Sequence, residues 1–286
     1  MDKNINSNKV GCLCIGAQKA GTTWLNQQLL RHPELYLPPI KEAHYFDFLC
    51  SQKDRIWIKK LYQLRAKNRI QKLVKENEIN WKDIAYYSRI SALIDSEEVN
   101  EDWYHAIYSQ CIDENILKMD ITPAYLPMSI TGVNEVFSYN SNMKLIVLLR
   151  QPVSRALSAA RMMLKRKNIE HPTDEDWNLI LKRGDIIGKS RYSRHLENWL
   201  HFFDKTQLLV VPYEKIAVAP LEIINEICDF LEISKMEQNN LFYERVHVGK
   251  NYPIPTHAHD WLKSRLANEV TTTKKMFPFL SDWWEE

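Results

Sequence analysis

The sequence predicts an α/β fold built on a central parallel sheet, and three stretches carry that expectation. Val10, Cys12, Leu13, Cys14 and Ile15 form a short apolar run bounded by glycines, a length that suits a buried strand better than a helix. Gly16 and Gly21 then bracket a loop of small residues, and from Thr22 onward Trp24, Leu25, Leu29 and Leu30 share one helical face. Residues 143–149 repeat the pattern: an apolar strand ends at Arg150, and Pro152 suits the first turn of a helix over 153–167. Residues 207–211 read as a further strand, closed by Pro212 and followed by an amphipathic helix over 219–231. Strands alternating with helices imply parallel βαβ units.

The chain has 286 residues, enough to bury a sizeable core, and we read residues 10–286 as one domain behind a loose polar tail, 1–9. With 38 basic and 36 acidic residues, the net charge of +2 makes no global case for nucleic acid, so any basic site must be local. No run approaches the ~18 apolar residues of a membrane span. The first nine residues are polar and lack a signal-peptide core, so the expected location is the cytoplasm. Five cysteines (Cys12, Cys14, Cys50, Cys111, Cys228) show no paired Cys-x-x-Cys spacing and are expected to be reduced. Residues 51–115 are rich in charged, aromatic and long aliphatic side chains, with helical patches over 56–64, 70–74 and 103–111. They read as a mostly helical insertion.

The first loop is a candidate anion site. The leading N–H groups of the helix that starts at Thr22 have no intrahelical partner, and the helix dipole adds positive potential there. Lys19 puts a full charge in the loop, and Thr22 and Thr23 supply hydroxyls. The order differs from an ATP-binding Walker A loop, whose lysine follows the second glycine. Here Lys19 precedes Gly21, and Thr22 takes the lysine's place. Arg150 closes the 143–149 strand where many ATPases keep a Mg²⁺-binding aspartate, and its fork suits phosphate oxygens instead. Ser158 lies eight residues on, about two helical turns. Arg155, Arg161, Lys165 and Arg166 share that helix and read mainly as surface charges.

Taken alone, Lys41-Glu42-Ala43-His44-Tyr45-Phe46-Asp47 reads as a charge pair beside a half-buried aromatic edge. Residues 116–126 read as a strand running into a proline turn. Leu196, Trp199, Leu200 and Phe203 make a core stripe. His257 and His259 are too weak a pair to indicate a metal, and the aromatic end, 277–284, reads as a packed tail or a dimer contact.

In order along the chain, these segments resemble sulfotransferases that use 3′-phosphoadenosine 5′-phosphosulfate (PAPS), in particular the carbohydrate-type and bacterial branch that includes heparan sulfate sulfotransferase domains. The resemblance covers residues 10 to about 253 and rests on the joint order of Gly-x-x-Lys-x-Gly-Thr-Thr, Lys-Glu-x-His, strand–Arg-x7-Ser and Gly-Lys-x-Tyr-Pro. It implies a fold like that of P-loop nucleotide kinases. It also implies that Lys19, Ala20, Gly21, Thr22, Thr23 and Trp24 hold the 5′-phosphosulfate end of the donor. Arg150, Ser158, Gly249, Lys250 and Asn251 would hold the 3′-phosphate, and Tyr192 would contact the nucleotide. Glu42 becomes the general base, Lys19 the stabiliser of the leaving group, and His44 the group that orients Glu42 or binds acceptor.

Two departures stand out. Ile121 replaces a lysine that some relatives place near the sulfuryl group, leaving Lys118 as the nearby substitute, and Ser190 replaces a glycine. The expected partner is a carbohydrate or small-molecule acceptor, with the insertion near the acceptor side. Adenosine 3′,5′-bisphosphate (PAP) would be the product, and no metal is required. The competing readings are a P-loop kinase, which fails on the lysine position and on Arg150, and a non-catalytic PAP-binding protein.

Overall fold

The computed structural model describes residues 9–76, 80–95, 100–237, 240–243 and 252–284. The chain begins with β1 (Cys12–Gly16), α1 (Thr22–Leu29) and the short β2 (Leu35–Tyr36). Four helices follow: α2 (Tyr45–Cys50), α3 (Gln52–Lys75), α4 (Trp81–Asp95) and α5 (Glu101–Ile107). Then come β3 (Leu117–Ile121), α6 (Ile130–Tyr139), β4 (Lys144–Leu149), α7 (Pro152–Arg166), α8 (Asp174–Leu181), α9 (Gly184–Gly188) and α10 (Tyr192–Leu200). The remainder holds β5 (Leu208–Pro212), α11 (Pro220–Leu231) and α12 (Thr256–Met276).

The strands form one parallel sheet in the order β2-β3-β1-β4-β5. Every residue of β1 is buried, which is why it reads as a continuous apolar run rather than an alternating one. From β1 the chain turns towards β2 on one side of the sheet, and from β4 it turns towards β5 on the other. The crevice beyond the carboxyl ends of β1 and β4 is therefore a topological switch point, where open α/β sheets bind ligands. Register places Gly16 opposite Val147, so the loop after β1 and Arg150 after β4 leave the sheet at one edge.

Two packed clusters support that edge. The main one surrounds the sheet and includes a group of rings, Tyr45, Phe46, Trp103, Tyr104, Tyr125 and Tyr139, with Tyr45 and Tyr104 stacked at 4.5 Å. The other joins α7, α8, α9 and α12 through Leu157, Trp177, Ile180, Ile186, Leu262 and Leu266. The strands and the helices after 143–149 and 207–211 lie where the sequence puts them, within two residues. In the 51–115 stretch α3 is one helix rather than two patches, and α4 and the long α12 were not singled out from sequence. These helices mix charges into most faces, which blurs the apolar period. Trp199 is core, as expected, and Trp284 packs within the chain at 6.3 Å from the Tyr192 ring.

Candidate active site

The anion loop spans the end of β1 and the start of α1. Gly21 caps α1 at φ 86°, in the left-handed region. That conformation favours glycine, and a Cβ there would also push against Ile216 Cδ1 at 2.7 Å. Among the described residues no side chain caps the leading N–H groups of α1, which leaves them available to a ligand. Lys19 also has positive φ, 74°, a conformation an L-residue keeps only when its surroundings impose it. Burial and then the charges of Arg150, Arg166 and Arg155 push the Lys19 ammonium below its ordinary pKa. The largest charge effects on Lys19 all come from cations, so positive charge gathers around this loop.

Arg150 completes this cluster. Its Nη1 donates to the Lys19 carbonyl at 3.5 Å, and its guanidinium lies 4.7 Å over the Tyr213 ring. The backbone beside it is pinned. Tyr192 Oη donates to the Arg150 carbonyl at 3.0 Å, and the Gln151 N–H donates to Glu214 at 2.9 Å. The other Glu214 oxygen accepts from Trp284 Nε1 at 3.2 Å, so the C-terminal tail helps fix this turn. Ser158 sits half-buried on α7.

Three sequence expectations change here. Tyr192 is wholly buried and serves the Arg150 backbone, so it has no surface to offer a nucleotide. Trp24 is 5% exposed and its Nε1 donates to the Phe242 carbonyl at 3.0 Å, tying α1 to the late part of the chain rather than lying open to an adenine. Arg155, read as a surface charge, is fully buried: its Nε donates to Ser190 Oγ at 2.6 Å, and its Nη2 to the Ile186 carbonyl. That pairing gives a use for Ser190, since a glycine would remove the acceptor. Gly249, Lys250 and Asn251 lie outside the described residues. Just beyond them, Arg161 holds the Tyr252 carbonyl with Nε at 3.0 Å and Nη2 at 2.7 Å.

The second half of the site is the 41–47 loop. Glu42 and His44 both have positive φ, 63° and 55°. Surrounding hydrogen bonds hold this strained backbone in place. Arg65 Nη1 donates to the carbonyls of Lys41 (2.7 Å) and Glu42 (3.1 Å), and Tyr62 Oη donates to that of Ala43 (2.8 Å). The Tyr45 N–H donates to Tyr125 Oη at 2.9 Å. Held this way, the Glu42 carboxylate faces three cations: Lys41 at 3.6 Å, His44 at 3.5 Å and Arg65 at 3.7 Å. Burial pushes its pKa up, but the neighbouring His44, Lys41 and Arg65 charges outweigh that and hold it at about 2. Burial pushes His44 down, but Asp47, at 2.7 Å from Nδ1, and Glu42 raise it to about 9. At neutral pH the pair is a carboxylate and an imidazolium, so His44 orients Glu42 and is itself no proton acceptor.

Lys41 connects the two halves. Its Nζ donates to Thr23 Oγ1 at 2.9 Å while facing Glu42. Lys118, the sequence-based substitute for the missing lysine, is buried three residues before Ile121, about 10 Å back along β3. Lys41 is the cation found between Thr23 and Glu42. Its signal was present in the Lys-Glu pair, but its reach to Thr23 was not.

Asp120 underpins the loop. Oδ1 accepts from Thr122 Oγ1 (2.6 Å) and the Ala43 N–H (3.5 Å), and Oδ2 accepts from Tyr125 Oη (2.9 Å) and Tyr104 Oη (3.0 Å). At 1% exposure, with every neighbour donating to it, it cannot serve as a substitute base. Asp120→Asn turns an acceptor into an amide facing buried donors and is expected to cost about 2–3 kcal/mol of stability, read by urea unfolding. A midpoint unchanged from the parent chain would remove Asp120 from this structural role.

Comparisons with known proteins agree with this geometry. A family model described as "Sulfotransferase family" matches residues 12–238. The chain is 30% identical over 149 residues to human heparan sulfate glucosamine 3-O-sulfotransferase 3B1, a match covering 49% of this chain and 37% of that protein. It is 27% identical over 163 residues to mouse heparan sulfate glucosamine 3-O-sulfotransferase 6, covering 53% and 44%. The matches thus span less than half the length of these curated relatives. Among solved structures, a sulfotransferase from Alicyclobacillus acidocaldarius superposes with TM-score 0.66 at 18% identity, over 94% of this chain and 95% of that one. The sulfotransferase domain of the Synechococcus PCC 7002 olefin synthase gives TM-score 0.56 at 18% identity, covering 94% of each chain. These two likenesses speak for the fold, and the family match extends to both halves of the site, since it takes in Lys19, Glu42, Arg150 and Ser158. The chain belongs to the sulfotransferase family.

Proposed function

We propose that this protein transfers a sulfuryl group from PAPS to a hydroxyl or amine of a carbohydrate or small-molecule acceptor, with Glu42 as general base. The observation that carries the reading is Lys41, whose ammonium touches both the first turn of α1 and the Glu42 carboxylate. It puts a proton acceptor beside a loop where Lys19 feels chiefly the positive charges of Arg150, Arg166 and Arg155.

In the reaction, the acceptor oxygen or nitrogen attacks sulfur while the bond from sulfur to the bridging oxygen of the 5′-phosphate breaks. Glu42 receives the acceptor's proton. Held at about 2, its carboxylate takes that proton only as the new bond forms and the attacking atom becomes strongly acidic. Lys19 and the leading amides of α1 stabilise charge on the departing phosphate oxygen, and Thr22 and Thr23 orient the phosphosulfate. Arg150 and Ser158 take the 3′-phosphate, with Gly249, Lys250 and Asn251 proposed to close over it. These groups supply cationic and amide donors to the leaving group, so the chemistry proposed needs no metal. Among the described residues, no cluster of three His, Cys, Asp or Glu side chains could hold a metal ion. Nor does any described helix have the length and apolarity to cross a membrane.

Two separated phosphate sites make a sharp demand on ligands. PAP is expected to raise the melting temperature far more than AMP or ATP at equal concentration, because ligands that bind only the native state stabilise it by mass action. Equal shifts with PAP and AMP would mean that Arg150 and Ser158 do not bind a 3′-phosphate. Mass spectrometry of an acceptor panel for sulfuryl gain tests the transfer itself.

A further inference from the structure

We infer that Trp57 is the acceptor platform of this site and that the acceptor is a neutral molecule whose hydroxyl or amine is carried on or beside an apolar or aromatic ring. The inference rests on the sulfotransferase reading above and adds the class of acceptor.

Three observations lead there. Trp57 lies on α3 with its ring edge-on to the His44 imidazole, centroids 5.1 Å apart and planes at 88°. His44 in turn contacts Glu42, so the indole is one side chain away from the group that takes the acceptor's proton. Half of Trp57 is open to solvent, 52%, although large aromatic rings of this chain are mostly buried. A half-open indole beside a base is placed to stack against a ring while the ring's polar group meets the carboxylate.

The flank around it carries leucines beside an exposed cation, Lys60, three residues on from Trp57. Helical spacing puts Leu61 and Leu64 on the same side of α3 as Trp57, four and seven residues on, and Leu64 is 55% exposed. The neighbouring stripe, with Ile58 and Tyr62, is buried against the protein and fixes how α3 is turned.

The three cations around Glu42, which an acceptor's reacting group must approach, are already engaged. Arg65 uses Nη1 on the Lys41 and Glu42 carbonyls and Nη2 on the Glu42 carboxylate. Lys41 is shared between Thr23 and Glu42, and His44 between Glu42 and Asp47. A polyanionic acceptor would have to compete with Glu42 for each of them. A neutral ring needs only the indole and the leucines.

The test uses the full chain with saturating PAPS and three acceptors: 2-naphthol, a neutral alkyl glucoside and an N-sulfated heparan oligosaccharide. The expected result is the highest kcat/KM for 2-naphthol. Trp57→Ala should raise KM for 2-naphthol about tenfold with kcat little changed, and Trp57→Phe should recover most of it. A merely structural Trp57, acting through His44, would instead lower kcat for all acceptors alike and leave KM unmoved, and that result overturns the inference. So does a higher kcat/KM for the heparan oligosaccharide than for the neutral acceptors, or a wild-type KM for 2-naphthol in Trp57→Ala. Failure of the wild type to sulfate any of the three, or any member of the wider panel, would overturn the sulfotransferase reading itself.

Discussion

Glu42→Gln is expected to keep the fold and donor binding while slowing turnover by about 10²–10⁴-fold, the usual effect of losing a general base. The exchange preserves the size of the side chain, and the amide oxygen can still accept from Lys41 or Arg65. What it loses is the ability to take a proton at neutral pH. The pH profile sharpens the expectation. Glu42, held at about 2, is ionised across the working range, so no acid limb should appear near the ordinary carboxylate value. His44, raised to about 9, loses its proton as the pH rises through that value, and turnover should fall there as the clamp on Glu42 opens.

The stability signs run in opposite directions. The raised His44 pKa contributes stability that is complete below about 6.5 and lost as the pH rises through about 9. The depressed Glu42 pKa contributes stability that is present above about 4.5 and lost as the pH falls through about 2. Single-turnover rates at saturating donor read the catalytic effect. A Glu42→Gln enzyme within about threefold of wild type would end the assignment, because even the low end of general-base catalysis is larger.

Residues whose roles are local could be read from sequence. Lys19 and Gly21 lie within one loop, bounded by an apolar strand and a helical period, and both the conformation and the positive field were implied by those neighbours. Arg150 was legible because Pro152 marks where β4 gives way to α7. The roles set by tertiary contact were not. Nothing in the charged 51–115 stretch distinguishes Arg65 by sequence, yet it grips the Glu42 loop from 23 and 24 residues away. Arg155 shares α7 with Arg161 and Arg166, and only the packing of α9 and Ser190 against it shows that it is buried. Asp120 falls in a strand segment whose pattern shows an acid and no partners, and its donors come from α5, the loop after β3 and the Glu42 loop. Helices α4 and α12 escaped because their charged residues interrupt the apolar spacing that marks α11 clearly.

Replacing Lys19 by Met should impair donor affinity and turnover together, by at least about tenfold in Kd and about 10²–10³-fold in the chemical step, the scale of losing one preorganised group at a developing charge. Methionine keeps the length of the side chain and meets the positive φ at 74° no worse than lysine does, so the backbone cost is matched. The loss is the charge. In the free protein that charge is held against the repulsion of Arg150, Arg166 and Arg155, and removing it should leave the fold no less stable. A folded, undiminished melting temperature combined with slow chemistry would therefore separate a ligand-directed charge from a structural one. Arg150→Ala should behave differently. On the proposed reading it holds the 3′-phosphate, and its guanidinium stacks on Tyr213, so its removal should weaken PAP binding strongly while turnover at saturating donor stays near wild type. The two variants can be read on one instrument pair, calorimetry for PAP and rapid quench for transfer. If Lys19→Met reproduces the Arg150→Ala pattern, losing affinity and keeping the chemical rate, Lys19 holds the donor without assisting departure of the phosphate. The amides at the start of α1 would then carry the charge that develops on the leaving oxygen.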